Sequence, residues 1–469
     1  MRQRAATVSL LLLASAVSSV FVGACASSPS LSGNFQASAR ALVIQPDGKI
    51  ALAGVAGMGN KVDFALARYL PDGTLDPEFG TGGKVITHFK ESTPSASVRY
   101  FAGSYARAIS LQSDGRLVAA GVVSIGDSTG VRPDYALARY HADGSLDRAF
   151  GDAGTVTTRL MVEQSHYNVP TLALQADGKL VVAGDQQLVG RRILFALVRY
   201  LPDGSLDPAF GERGMVATSF PASSTTSGYS SGIRALAIQP DRKLVAAGVH
   251  VIDGVDYFAL ARYLPDGSLD AKFGTGGLSS AVVAFGAKGP MTPGLAARGA
   301  FALALQPDGK LIAAGATEAL KGRVVFAVAR FLPDGSLDRR FGTDGTVATD
   351  FGDGGAAFAL ALQPDGKMVA AGATGRGDFA NNGFALARYL PDGSLDRSFG
   401  VGGKVVSDFG WTGILALGLQ PDGKLVAAGS AAIGDRRTFA VARYLSDGSL
   451  DSGFGVGGKV TTDFGGRLP

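Results

Sequence analysis

Short apolar runs separated by polar turns fill most of the chain, and the same series of runs recurs seven times. A Gln-Pro-Asp-Gly-Lys string starts at Gln45, and variants of it start at Gln112, Gln175, Gln239, Gln306, Gln363 and Gln420. Each copy holds four short runs, of the type ALALQ, LVAAG, FALARY and KVVxDF. Such runs bounded by Gly, Pro and Asp are typical of β-strands, and none is long enough for an amphipathic helix of three turns. The pattern predicts an all-β protein of seven four-stranded units.

The turns between these runs have a physical basis. In Gln-Pro-Asp-Gly-Lys, proline presets φ, aspartate caps its own backbone, and glycine takes the left-handed position of a three-residue hairpin loop. A second turn, Pro-Asp-Gly-Ser in most copies, has the same logic. Arg242 replaces the glycine of one first turn, and a left-handed arginine costs on the order of 1 kcal/mol. We therefore expect that turn to relax into another type.

Length varies at two places in each copy, between the second and third runs and between the fourth run and the next copy. From the arginine of the third run to the next Phe-Gly, the spacing is the same in every copy, as from Arg68 to Phe79. In an up-and-down meander the two variable places emerge on one face and the Asp-Gly turns on the other. This predicts one face of variable loops.

Two architectures fit seven such units, a closed β-propeller and an open β-solenoid. Propellers typically have four to eight blades, and closure protects sheet edges. The first and last copies look like the middle ones, with no polar capping repeat. We therefore predict a seven-bladed β-propeller of four-stranded antiparallel blades over residues 39–466. Which strand lies nearest the axis stays open, as does the conformation of the SLDxxFG segment.

The strings QPDGK, FALARY and DGSLDxxFG together resemble the delta-60 repeat, a bacterial β-propeller repeat family with no assigned activity. The resemblance covers all seven copies. It implies a propeller fold and an exported or surface setting, and it implies no reaction. Departures such as Ser113 and Ala176 for the turn proline are mild.

The first residues indicate export. Two arginines in the first four residues precede an apolar stretch with four consecutive leucines, the layout of a secretory signal. The sequence Val22-Gly23-Ala24-Cys25 resembles the lipobox of bacterial lipoproteins, which implies cleavage before Cys25 and its acylation. We predict a signal peptide over 1–24 and a flexible tether over 25–38. Ala26 favours the outer membrane, and ordinary cleavage with secretion is the alternative.

Composition argues against several kinds of partner. The net charge is +4 and no Lys/Arg run occurs, so neither nucleic acid nor an anionic membrane surface has an electrostatic footprint. The four histidines lie in different copies without metal-ligand spacing. Two Gly-x-Ser-x-Gly strings, around Ser128 and Ser230, lack the strand-to-helix context of a nucleophile elbow. We predict no catalytic residue, no metal and no cofactor.

The repeated charges are predicted to serve architecture. Each third run carries an arginine, and an aspartate follows it after eight residues in every copy, as Asp76 follows Arg68. A buried arginine requires an acidic partner. We predict that each such pair fixes blade geometry, since a catalytic group is not needed seven times.

Ligand binding is expected on the variable loops, which supply Tyr100, Phe101, Tyr105, Tyr167 and Tyr229. We predict a monomeric, non-catalytic binding or scaffold propeller at the bacterial cell envelope, with an unknown protein or glycan ligand and a lipid anchor at Cys25. The alternatives are a propeller hydrolase or lyase with a metal on the central axis, and a surface adhesion protein. The residues at the central axis distinguish an enzyme from a scaffold, because an enzyme needs polar residues there that break the repeat. An innermost Ala-Leu-Ala-Leu strand favours the scaffold.

Overall fold

The chain folds as a ring of seven β-sheets in the computed structural model. The structure describes residues 35–58, 61–89, 103–127, 130–159, 170–187, 193–221, 231–252, 255–281, 299–319, 323–375, 383–408, 413–434 and 436–465. No helix long and apolar enough to cross a membrane occurs within these ranges.

Each sheet is one blade and comprises four consecutive antiparallel strands. Blades 1 to 4 contain β1 (Phe35–Ile44), β2 (Ile50–Met58), β3 (Lys61–Tyr69), β4 (Lys84–Thr87), β5 (Ser104–Leu111), β6 (Leu117–Asp127), β7 (Gly130–Tyr140), β8 (Thr155–Thr158), β9 (Thr171–Leu174), β10 (Leu180–Gln187), β11 (Ile193–Tyr200), β12 (Met215–Thr218), β13 (Ser231–Ile238), β14 (Leu244–Ile252), β15 (Val255–Tyr263) and β16 (Leu278–Ala281). Blades 5 to 7 contain β17 (Gly299–Leu305), β18 (Leu311–Ala319), β19 (Arg323–Phe331), β20 (Thr346–Thr349), β21 (Gly355–Leu362), β22 (Met368–Thr374), β23 (Gly383–Tyr389), β24 (Lys404–Ser407), β25 (Ile414–Leu419), β26 (Leu425–Ile433), β27 (Arg436–Tyr444) and β28 (Lys459–Thr462).

The ALALQ strand of each blade is the innermost one. Each of these seven strands packs against the corresponding strand of both neighbouring blades, and β25 packs against β1 to complete the circle. The predicted seven-bladed propeller is therefore confirmed, and the open solenoid is excluded. Every blade takes all four strands from one copy, so no blade combines strands from the two ends of the chain. Side chains and turns close the ring instead. The SLDxxFG segment is a crossing segment that touches the third strand through one isolated bridge, as between Tyr69 and Leu75.

Tight apolar layers fill the space between blades. The second and third strands alternate small and large buried residues, mostly alanine, leucine and valine, which interdigitate with the facing blade. At five of the seven junctions a tyrosine hydroxyl hydrogen-bonds with a threonine on the outer strand of the preceding blade, as between Tyr140 and Thr87 at 2.7 Å. The core is thus a ring of interfaces rather than a single centre.

The repeated arginine links each blade to the next. In all seven copies its Nε donates to the aspartate eight residues later at 2.7–2.9 Å, which confirms the predicted pairing. Its guanidinium stacks on the Phe-Gly phenylalanine at 4.4–4.6 Å from the ring centroid. Its Nη1 donates to a carbonyl in the following blade, and Arg443 closes the ring on Pro71 in this way. These buried charges are architectural.

Two expectations need correction. Arg242 keeps the repeat turn instead of relaxing: its φ is +67°, and its N–H donates to the Gln239 carbonyl at 2.8 Å, as glycine does in the other copies. Tertiary context therefore outweighs the backbone strain. Strand β1 begins at Phe35, so the last four residues of the predicted tether belong to blade 1. Residues 1–34, with the predicted signal peptide and Cys25, lie outside the described residues.

Candidate functional site

One position of the innermost strand breaks the sevenfold pattern. A β-bulge interrupts six of the seven innermost strands at the same place, and a bulge leaves one residue unpaired. That residue stands five places before the turn glutamine, where blade 3 has Pro170. The six bulge residues are Arg40, Arg107, Arg234, Phe301, Phe358 and Leu415. Arginines in blades 1, 2 and 4 thus oppose apolar side chains in blades 5 to 7.

The three arginines hold the same register position on innermost strands and influence one another electrostatically. The pKa of Arg107 is lowered well below its ordinary value, first by burial and then by the positive charges of Arg40 and Arg234. Blades 2 and 4 are not neighbours in the ring, so the effect of Arg234 on Arg107 crosses the central region. On the opposite side, the rings of Phe301 and Phe358 meet edge to face at 5.3 Å between centroids.

Arg40 carries buried donors with no hydrogen-bond acceptor. Its Nε and Nη1 are buried, and no partner for either atom exists within the described part of the chain. The pKa of Arg40 is lowered to about 10, chiefly by burial and to a smaller extent by the charge of Arg437, while Tyr105 opposes the shift. A buried donor without a partner costs about 1–3 kcal/mol, more when the group is charged. In native structures such a group marks a functional site or the place of a bound water or ion.

Arg234 is held in place by a carboxylate. Its Nη1 donates to both oxygens of Asp185, at 2.9 and 3.2 Å, and to the Ile233 carbonyl at 2.8 Å. Burial raises the pKa of Asp185 to about 6, and the charge of Arg234 opposes that rise. Gly232 makes room for the pair, because a Cβ there would lie 2.7 Å from Nη1 of Arg234 and 3.0 Å from Oδ1 of Asp185. The pair therefore orients one guanidinium while the region keeps a positive charge.

Tyr105 connects this group to blade 1. Burial raises the pKa of Tyr105, the charges of Arg107 and Arg40 oppose the rise, and Asp63 adds to it. We call Arg40, Tyr105, Arg107, Asp185 and Arg234 the axial cluster. Tyr105 lies at the start of β5, so the cluster extends toward the end of the blades that carries the variable loops.

A histidine and a buried aspartate stand beside the axial cluster. His88 Nδ1 is 2.8 Å from Oδ2 of Asp63, and the Ser104 hydroxyl donates to Oδ1 at 3.4 Å. Burial raises the pKa of Asp63, and the His88 charge and hydrogen bond lower it. A carboxylate that accepts from Nδ1 leaves Nε2 as the basic nitrogen. The His88 side chain is half exposed, so its ring can reach solvent.

The predicted loop face is confirmed in its geometry. Antiparallel order places both variable connections of every blade on one side and the Asp-Gly turns on the other. Of the aromatic residues expected to bind there, Tyr105 belongs to the axial cluster, while Tyr100, Phe101, Tyr167 and Tyr229 lie outside the described residues. Ser128 and Ser230 of the two Gly-x-Ser-x-Gly strings also lie outside them.

Sequence reasoning missed the bulge arginines. The innermost strand reads as Ala-Leu-Ala-Leu in most copies, and the bulge residue stands just before that apolar string. Aligning the seven copies on the turn glutamine gives Arg, Arg, Pro, Arg, Phe, Phe and Leu, which was the available signal. The axis therefore carries polar residues that break the repeat, contrary to the expectation that favoured an inert scaffold. Within the described ranges no three His, Cys, Asp or Glu residues cluster in a way that could hold a metal ion.

Comparisons with solved structures give likenesses at low identity. A polysaccharide lyase of family PL25, an ulvan lyase, has a TM-score of 0.49 at 11% identity, covering 93% of this chain and 96% of its own. The polysaccharide lyase Uly1 has a TM-score of 0.47 at 12% identity, covering 87% and 90%. A protein of unknown function from Dyadobacter fermentans has a TM-score of 0.41 at 12% identity, covering 88% and 95%. Similarity at this level carries no argument about activity, and a comparison with curated proteins gave no match.

The sequence family described as "Domain of unknown function (DUF5122) beta-propeller" matches one segment in each blade. The matched residues are 45–79, 112–150, 175–210, 239–273, 306–341, 363–399 and 420–454. Together they cover more than half of the chain and contain both aspartate-bearing turns of every copy. The chain belongs to this beta-propeller family.

Proposed function

We propose that the protein is an exported binding propeller whose central opening takes an anionic ligand. The unpartnered, buried nitrogens of Arg40 carry this proposal. They lie in a group with Arg107 and Arg234, at a position where other blades have Phe or Leu. Guanidinium groups bind carboxylate, sulfate and phosphate through paired N–H donors, and a low-dielectric setting strengthens that attraction.

The surrounding charge supports an anion rather than a metal. In the described part of the chain Asp185 is paired with Arg234, and the positive charges of Arg40 and Arg234 both lower the pKa of Arg107. Positive charges grouped in this way would repel a divalent cation from the same level of the axis. The geometry therefore favours an anion site over the axial-metal enzyme considered from the sequence.

Titration calorimetry and thermal melts test the anion site. Sulfate, phosphate and citrate are titrated into the purified chain in a low-salt buffer, with glycerol as the neutral control. Saturable binding and a rise in melting temperature are expected for the wild type and not for Arg40→Leu or Arg107→Leu. Arg397→Leu, at an exposed arginine of the crossing segment in blade 6, is the matched control and should bind like the wild type. Equal anion responses in wild type and Arg40→Leu would refute the proposal.

The cellular setting is proposed from the sequence. Cleavage before Cys25 and its acylation would tether the propeller to the envelope, and the polar segment that follows would give it reach. Metabolic labelling with an alkyne fatty acid should label the wild type and leave Cys25→Ser unlabelled. Label on both proteins, or on neither, contradicts the anchor. The natural ligand would be a protein or glycan that bears acidic groups.

A metal-free catalytic role is the second candidate, and the Asp63–His88 pair favours it. A histidine oriented by a buried carboxylate is a common general base. Hydrolysis of chromogenic esters, phosphoesters and glycosides by the wild type, with loss in His88→Gln, would support this role. Equal rates for the two proteins would exclude His88 as the base.

A further inference from the structure

The junction between blades 4 and 5 departs from the repeat at three positions at once. Elsewhere the outer strand holds a valine that packs on the second-turn glycine of the next blade, and a Cβ on Gly144 would lie 2.9 Å from Val85 Cγ2. In β16 the valine is replaced by Ser279 and the threonine by Ala281. The facing tyrosine of blade 5 is Phe331.

These replacements remove a hydroxyl pair that other junctions retain. Tyr–Thr hydrogen bonds of 2.7–2.9 Å join the blades at five junctions. Phe331 and Ala281 lack both hydroxyls and pack in one apolar cluster, so no buried polar atom is left unpaired there. The change is coordinated across two blades, which indicates that this junction is specialised.

A groove of about 630 Å³ lies at this junction. Leu337, which is partly exposed, contributes apolar surface to it, whereas Phe331 and Ala281 border the groove but are buried. Hydroxyl-bearing residues and two charged side chains, Arg339 and Asp344, line the rest. The volume falls within the roughly 300–1,000 Å³ of ligand sites. Replacing a branched valine by Ser279 removes the side chain that fills this place in other blades.

Most of the hydroxyl hydrogens in the groove are already used. Ser279 donates to the Gly335 carbonyl at 2.6 Å, Ser336 to Asp334 at 2.6 Å, and Thr346 to the Thr343 carbonyl at 3.0 Å. Their oxygens therefore present lone pairs to an incoming group. Asp344 adds an exposed carboxylate at the rim. The lining favours a ligand rich in O–H donors that also has an apolar face.

We propose that this groove is a second ligand site, separate from the axial cluster, and that it takes a neutral, hydroxyl-rich ligand such as a sugar unit of a glycan. A pyranose offers O–H donors at its edge and C–H groups on its face, which match the two kinds of lining. The groove lies beside the Asp-Gly turn that contains Gly335, at the outer strand β16, whereas the arginines of the axial cluster lie on the innermost strands. The two sites are thus chemically and spatially distinct.

Saturation-transfer NMR with methyl glycosides of glucose, galactose, mannose and N-acetylglucosamine tests this site. The purified full chain should give signals from at least one glycoside. Refilling the groove with the residues of other junctions, in Ser279→Val/Ala281→Thr/Phe331→Tyr, should abolish them while leaving the melting temperature equal or higher. Binding that persists in the refilled variant, or no glycoside binding by the wild type, overturns the proposal.

A single substitution at the rim of the groove tests the proposal even if the refilled variant does not fold. Asp344 has φ +50° at a place where four other blades have glycine, so Asp344→Gly should fold normally. Loss of a charged acceptor should weaken glycoside binding by roughly tenfold or more. Ala153→Gly makes the equivalent backbone change in blade 2 and should leave binding unchanged. Equal affinity in Asp344→Gly and Ala153→Gly, or binding of putrescine in place of every glycoside, would refute a site for neutral sugars.

Discussion

The ring closes between blades 7 and 1 without a covalent link, and Arg443 is the residue to perturb there. Its Nε is 2.8 Å from Asp451, its Nη1 donates to the Pro71 carbonyl of blade 1, and its guanidinium lies 4.6 Å from the Phe454 ring centroid. The Arg443→Met variant keeps most of the aliphatic stem and removes the charge. It leaves Asp451 buried with Lys424 at 3.4 Å as its remaining ion partner.

The expected loss is large for a single side chain. Two hydrogen bonds to a charged donor contribute about 1.5–3 kcal/mol each, and removing one partner of a buried ion pair costs about 3–5 kcal/mol in all. We expect the free energy of unfolding to fall by about 3–5 kcal/mol. Urea unfolding followed by circular dichroism measures it, with Arg397→Met, at an exposed arginine in blade 6, as the control.

Two further variants distinguish the loss of contacts between blades from the effect of leaving Asp451 without Arg443. Asp451→Asn in the Arg443→Met background removes the uncompensated carboxylate and should recover part of the loss. Arg262→Met breaks the same contacts between blades 4 and 5, where the chain is continuous, and should cost a similar free energy. Protection of β1 and β25 amides should fall more in Arg443→Met, because only that junction can part without chain restraint. A loss below about 1 kcal/mol in Arg443→Met would refute the view that these arginines hold the ring.

Three other predictions follow from the repeated contacts. Arg242→Gly should stabilise the protein by about 1 kcal/mol in urea unfolding, because arginine is strained at a φ of +67°; no gain would mean that the Arg242 side chain offsets the strain. Tyr140→Phe should lower the free energy of unfolding by about 1–3 kcal/mol, because the buried Thr87 hydroxyl loses its partner. Adding Thr87→Ala should restore part of the lost stability, since the natural Phe331–Ala281 pair lacks both hydroxyls. Equal stability of the single and double variants would contradict this prediction. Burial alone would raise the pKa of Asp76, but the Lys49 hydrogen bond, the Glu78 N–H and Arg68 outweigh it, so the pKa is lowered. The stabilisation by the Asp76 carboxylate is complete above its pKa in the unfolded chain, near about 4, and is lost as the pH falls through its pKa in the folded protein. Asp76→Asn should therefore make the free energy of unfolding less dependent on pH at acid pH. An unchanged slope would contradict this prediction.

Most of the fold could be predicted because its signals are local and repeated. The Pro-Asp-Gly turns, the short apolar runs and the fixed Arg68–Asp76 spacing each follow from backbone preference or charge pairing within one copy. Ring closure followed from the likeness of the end copies to the middle ones. The innermost strand could not be chosen, because all four strands of a blade are short and the first three are largely buried.

The candidate site was harder to predict than the fold. A bulge shifts one residue out of the alternating pattern, so Arg40 and its equivalents do not register as part of the apolar strand. Their significance depends on convergence across the axis, which only the closed ring creates. Likewise, Ser279 and Phe331 come from different copies, and only the folded ring shows that they lie at the same junction.

The free energy of unfolding of Arg40→Leu, measured by urea titration in a low-anion buffer, tests the central claim most directly. If Arg40 is retained for a ligand, leucine, which blade 7 has at the same position, should raise the stability by about 1–3 kcal/mol, because buried donors without partners are removed. A fall in stability would show that Arg40 serves the architecture, and the axial cluster would then lose its claim to be a binding site.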